Sequence, residues 1–229
     1  MRFIDTSTLR LKEFYSSNKP AYAILSHIWT GEEISFDEML SPTAETQQKA
    51  GFLKIKGCCD MAKEHGLSYA WIDSCCIDKR SSAELTEAIN SMYLWYRDAV
   101  ICFMYLVDVH PAFSVVDGRT MSLGRQVEAF KKSRWFTRGW TLQELVASSN
   151  RLFLANDWSP IRFSANDHPI ININNLITQI TGIRSEVLRN RDTLSGLCIA
   201  ERMSWQSQRQ TTREEDIAYS LMGIFSPDL

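Results

Sequence analysis

Residues 22–27, Tyr22-Ala23-Ile24-Leu25-Ser26-His27, decide the fold. The run follows Pro20 and shows no apolar–polar alternation before its last two residues. A strand with one face in water alternates. A continuously apolar run reads instead as a strand covered on both faces, as in parallel sheets. Three further runs share the character: Tyr69-Ala70-Trp71-Ile72-Asp73, Val100 to Val109, and Arg151-Leu152-Phe153-Leu154-Ala155. Segments of helical period lie between them. Phe52 to His65 sets Phe52, Ile55, Cys59 and Ala62 on one face and stops at Gly66. Ser82 caps a second helix to about Asp98, with Leu85, Ile89, Met92 and Tyr96 as its stripe. A loop from His110 to about Ser122 holds Pro111 and Gly118. A helix over roughly Gly124 to Lys132 follows, and another starts near Gly139. Strands alternating with helices predict an α/β fold: a mainly parallel sheet with helices on both faces.

Beyond Trp158 the pattern turns helical. Asn172–Thr181 and Leu194–Gln208 are helical segments, and the capping box Thr212-Arg213-Glu214-Glu215 opens a last helix to Ile224. The expected organisation is an α/β core over 1–160 and a helical C-terminal extension over 161–229 packed on it.

The chain has 229 residues, 45% of them hydrophobic and 23% charged, enough to bury a sizeable core. A net charge of -2 supplies no basic field for nucleic acid or an anionic membrane, and Lys131-Lys132-Ser133-Arg134 reads as a solvated face. No apolar stretch of about 18 residues predicts a membrane span. Met1 to Asp5 turns polar too early for a signal peptide. The six cysteines include two adjacent pairs, Cys58-Cys59 and Cys75-Cys76, and no C-x-x-C spacing. Together these predict a reduced, cytoplasmic protein with buried thiols and no metal centre. Zinc on Cys75, Cys76 and His27 is the alternative that the residue types leave open.

In open α/β sheets ligands bind at the carboxyl ends of the strands. That edge carries Ser26, His27 and Trp29 after the first strand, and Asp73, Ser74 and Cys75 after the second. His27 reads equally as a satisfied structural histidine. Asp73 reads also as the cap of the Ser74–Ile77 loop. Glu144 is either a site carboxylate, a structural partner of Arg138 or an exposed helix acid. Trp140, four residues earlier on the same helix face, packs over that carboxylate, stacks on a ring, or belongs to the core. Cys75 with His27 forms a second candidate, a nucleophile pair.

Four segments in order carry a resemblance: Tyr22 to Trp29, Trp71-Ile72-Asp73-Ser74-Cys75-Cys76-Ile77-Asp78, Arg138-Gly139-Trp140-Thr141-Leu142-Gln143-Glu144-Leu145, and Thr212 to Phe225. Their sequence and spacing resemble the fungal heterokaryon incompatibility (HET) domain over nearly the whole chain. The resemblance implies a cell-death effector of self/non-self recognition. It also implies self-association, and a partner nucleotide-binding oligomerisation domain and repeat sensor in a larger receptor. This chain holds no P-loop and no repeats.

A remoter similarity is to Toll/interleukin-1 receptor (TIR) domains, which are flavodoxin-like α/β modules. Many of these cleave NAD with a glutamate in a W-C-x-x-E-L context after the third strand. Trp140 to Leu145 is similar to that context, with Thr141 where cysteine is usual, a longer preceding loop and an added helical tail. The similarity implies NAD as substrate, no bound cofactor, Glu144 as catalytic carboxylate, and Ser26, His27, Trp29, Asp73, Ser74, Cys75 and Trp140 as substrate-binding residues.

Overall fold

The buried apolar runs pair as their composition predicts. In the computed structural model, which describes residues 1–15, 18–112, 114–116, 119–163 and 172–225, they form the centre of a six-stranded sheet. Its strands are β1 (Arg2–Asp5), β2 (Leu11–Glu13), β3 (Ala23–His27), β4 (Tyr69–Trp71), β5 (Ile101–Tyr105) and, after a small hairpin of β6 (Val115–Val116) and β7 (Arg119–Thr120), β8 (Arg151–Leu154). The order is β2-β1-β4-β3-β5-β8. β4, β3, β5 and β8 run parallel, and β1 pairs antiparallel with both β2 and β4. Among the parallel strands the order is second, first, third, fourth along the chain, as in doubly wound sheets. The sheet therefore reverses direction at β3, with β4 on one side and β5 on the other.

The helices are α1 (Phe36–Leu40), α2 (Ala50–Glu64), α3 (Asp73–Cys76), α4 (Ser82–Asp98), α5 (Leu123–Lys131), α6 (Trp140–Ala147), α7 (Ile173–Thr181), α8 (Ser185–Arg189), α9 (Ile199–Ser204) and α10 (Asp216–Phe225). Right-handed crossovers in opposite directions from β3 and β4 put α2 and α4 on opposite faces. α4 packs with α6, and α10 lies across both. One buried cluster runs through sheet and helices, from Phe3, Ile24 and Phe103 to Ile55, Leu145, Leu188 and Ile224.

Several boundaries differ from the sequence reading for local reasons. Met1 to Asp5 is the antiparallel strand β1, with Phe3 and Ile4 fully buried. Four residues carry too short a pattern to reveal it. Asp73 opens the helical turn α3 instead of ending β4. The cap of α4 is Ser81, whose hydroxyl accepts from the Glu84 amide at 3.3 Å. The loop after β5 contains the β6–β7 hairpin, and Gly118 lies outside the described residues. Leu194–Gln208 is broken into a 3-10 turn, Arg191–Gly196, and α9. The last helix starts at Asp216, after turns through Thr212–Glu215.

The C-terminal segment is stitched to the start of α6. The Gly139 amide donates to Gln210 O at 2.8 Å, and the Gln210 amide to Thr137 O at 2.7 Å. A β-carbon at Gly139 would collide with the Thr211 side chain, so glycine permits this close approach.

Candidate functional site

Ser26 and His27 close β3 and, as strand neighbours, project to opposite faces of the sheet. On the α4–α6 face the fully buried Ser26 hydroxyl accepts from Trp135 Nε1 at 2.9 Å and donates to Glu144 Oε2. Tyr96 donates its hydroxyl to Leu25 O at 2.8 Å beside them. α6 is enclosed from Thr141 to Ala147, because it lies between the sheet and the α4–α10 pair. Glu144 is accordingly 8% exposed. This corrects the reading of Glu144 as an exposed helix acid. It is not the partner of Arg138 either, whose guanidinium donates to Thr212 Oγ1 at 2.7 Å.

Burial pushes the Glu144 carboxyl up to about 8, and the charge of Asp73 adds to the rise. The hydrogen bond from Ser26, the neighbouring Tyr96 hydroxyl and the charge of Arg209 offset it only in part. Arg209 is itself buried and reaches the first turn of α6, donating to Arg138 O at 2.9 Å and Thr141 Oγ1 at 2.8 Å. At neutral pH the carboxyl in this closed arrangement is mostly neutral.

On the α2 face, His27 Nε2 lies 3.4 Å from Glu33 Oε2 and 3.9 Å from Asp73 Oδ1. Glu33 also pairs with the buried Lys54 of α2 and accepts from the Thr30 amide at 2.8 Å. Burial pushes Glu33 up, but His27 and Lys54 overcome it and hold the carboxyl at about 2. Asp73 Oδ2 accepts from Trp29 Nε1 at 2.9 Å, and Lys79 Nζ sits 3.7 Å over the Trp29 ring. A cleft of about 260 Å³ opens here, lined by Trp29, Glu33, Ile34, Phe36, Ser74 and Lys79 among others. The Ser74 hydroxyl in its wall is buried with no partner.

The structure thus gathers Ser26 with Glu144 on one face, and His27, Trp29 and Asp73 on the other, with Ser74 in the cleft. Trp140 is half-buried against the core. The tryptophan bonded into the site is Trp135, which follows the basic run read as solvated. Ser133 in that run is buried, donating to Asp108 Oδ1 at 2.6 Å. Sequence reading also missed Glu33, Lys54, Tyr96 and Arg209. Cys75 is fully buried, and its thiol, hydrogen-bonded with Cys76 and desolvated, is held well above its ordinary value. A thiol so held is a poor nucleophile. Among the described residues no group of three His, Cys, Asp or Glu side chains could hold a metal ion. No described helix is long and apolar enough to cross a membrane.

Of the quoted segments, the first brings Ser26, His27 and Trp29 to the carboxyl edge of this doubly wound sheet, the second Asp73, and the third Glu144. Residues 22–116 match the family model described as heterokaryon incompatibility protein (HET), and the chain carries a fungal HET domain. It is similar to vegetative incompatibility protein HET-E-1 of Podospora anserina, 44% identical over 220 residues. The match covers 95% of this chain and 15% of that relative, so the chain spans a small part of the curated protein it matches. No solved structure matches the chain.

Proposed function

We propose that this domain is a cell-death effector of heterokaryon incompatibility, acting by NAD cleavage through Glu144 when the chain self-associates. The observation that carries the reading is the Trp135–Ser26–Glu144 relay at the end of β3, beside the point where the sheet reverses. Breaking the nicotinamide–ribose bond builds positive charge on the sugar. A carboxylate beside the ring stabilises that charge, provided it is ionised. The sheet order supports a TIR-like reading of the α/β part, and the helical part from about residue 161 supplies Arg209 beside α6.

The burial of Glu144 gives the reading a resting state. A neutral, enclosed carboxyl neither reaches a ribose nor stabilises an oxocarbenium ion. Activation therefore has to open the α6 end of the site and let Glu144 ionise, and assembly with a second copy is the step we assign to it. Oligomerisation and sensor domains of a longer receptor would drive that assembly in the cytoplasm. The test is to incubate the purified chain with NAD, free and fused to a clustering tag, and to measure nicotinamide. Release by the clustered form and little by the free form is expected. No release from either would refute the enzymatic reading.

A second reading is a non-enzymatic adaptor that acts by assembly alone. It is favoured by Ile199 and Met203 of α9 and Ile217 and Met222 of α10, all more than two-fifths exposed.

A further inference from the structure

Buried polar atoms without a partner gather along one seam of the fold. Among the described residues, no hydrogen bond reaches Nε1 of Trp205, either end of the Gln206 amide, Nη2 of Arg209 or, on α6, Nε2 of Gln143. All of these atoms are sealed from solvent, so the loss falls on the packing itself. A buried donor or acceptor left unmade costs the desolvation of that group, and such groups are rare in native folds. Water satisfies each of them once the two sides of the seam part.

The seam joins residues 205–225 to α6. Its bonds are the backbone pair between Gln210 and the Thr137–Gly139 stretch, Arg209 Nη1 to Arg138 O and Thr141 Oγ1, Arg138 to Thr212, and the Gly223 amide to Gln143 Oε1 at 3.3 Å. The apolar grip is thin. The buried apolar side chains of the segment are Trp205, Leu221 and Ile224, while Ile217, Tyr219 and Met222 of α10 stay exposed. α9, which leads into the segment, has no buried residue. α6, by contrast, is buried from Thr141 to Ala147. Few buried apolar contacts together with unpaired polar groups mark the part of a fold that opens most readily.

We propose that residues 205–225 form a releasable strap over α6, which opens while the sheet stays folded. Release withdraws Arg209 from the first turn of α6 and bares the outer side of the helix that carries Glu144. The link from this opening to activation rests on the proposed role of Glu144; the opening itself does not.

The experiment is hydrogen–deuterium exchange of the whole chain, without NAD, read by mass spectrometry. Protection of 216–225 should be lower than that of β3 and β5 by about tenfold or more. The Gly139 amide, bonded to Gln210 O, should follow the strap. Gln206→Leu keeps the approximate volume and removes both unpartnered ends. It should slow exchange of the strap by about tenfold and leave β3 and β5 unchanged. Gly139→Ala acts in the other direction, because its new methyl meets Thr211, Gln206 and Gln210, all in the strap; exchange there should quicken. Strap protection equal to that of β3 and β5 would overturn the proposal. So would unchanged or faster strap exchange in Gln206→Leu, since the amide would then be satisfied where it stands. Because no NAD is present, a strap that opens beside a chain that releases no nicotinamide would sink the enzymatic reading and leave the strap standing.

Discussion

Replacing Glu144 by Gln should change the pH dependence of folding more than any other single substitution in the site. Between 4.5, the ordinary value of the carboxyl, and about 8, the folded chain keeps a proton that the unfolded chain has lost. The folded state then binds more protons, so stability falls as pH rises through that window. The penalty is absent below 4.5 and complete above 8. At about 1.4 kcal/mol per pH unit it amounts to roughly 3 kcal/mol at pH 7 and about 5 kcal/mol above pH 8. The Glu144→Gln variant carries no such penalty. Its new side chain can still accept from Ser26, but the amide must place two N–H donors among partners arranged for a carboxyl, at a cost of about 1–3 kcal/mol. Glu144→Gln should therefore be less stable than wild type near pH 5 and equal or more stable near pH 8, a swing of about 3–4 kcal/mol. Urea unfolding followed by tryptophan fluorescence measures both chains across the range. The difference between them cancels every other titrating group. A difference constant to within about 0.5 kcal/mol would refute the reasoning, because Glu144 would then be ionised in the folded chain.

Glu33 should behave in the opposite sense. Its carboxyl is held at about 2, so its stabilisation is present above its ordinary 4.5 and lost as pH falls toward 2. Glu33→Gln leaves Lys54 buried without its counter-charge and should cost about 3 kcal/mol in denaturant unfolding at pH 7; a cost under about 0.5 kcal/mol would contradict the buried pair. Five of the six cysteines are buried and Cys198 is exposed. An aromatic disulfide reagent should titrate one thiol in the native chain and all six in denaturant, and rapid reaction of Cys75 would revive the nucleophile pair.

The parallel strands were readable because each is buried on both faces, so β3, β5 and β8 stand out as apolar runs. β1 was not, although Phe3 and Ile4 are buried, since four residues beside a turn hold no period. The pairing of Ser26 with Glu144 follows from the general placement of sites at strand ends. The depth of Glu144 was hidden because α6 reads as an ordinary amphipathic helix until α10 covers its other side. Trp135 and Arg209 were hidden as well. Trp135 lies in a short 3-10 turn that holds no period, and Arg209 stands among polar neighbours and reaches α6 only through the packing of the C-terminal segment. Lys54 sits one residue from Ile55 on the buried side of α2, where a lysine is placed by its partner Glu33 and not by helical period.

The central claim is that Glu144 cleaves NAD and that this is the toxic act. The direct test is cellular NAD after induced expression of the clustered chain and of its Glu144→Gln variant at matched protein levels. With the wild type, NAD should collapse before death. The variant should spare both NAD and the cells, its nicotinamide release lower by roughly two to three orders of magnitude. Death by Glu144→Gln at the wild-type rate, with NAD held at its resting level, would contradict it.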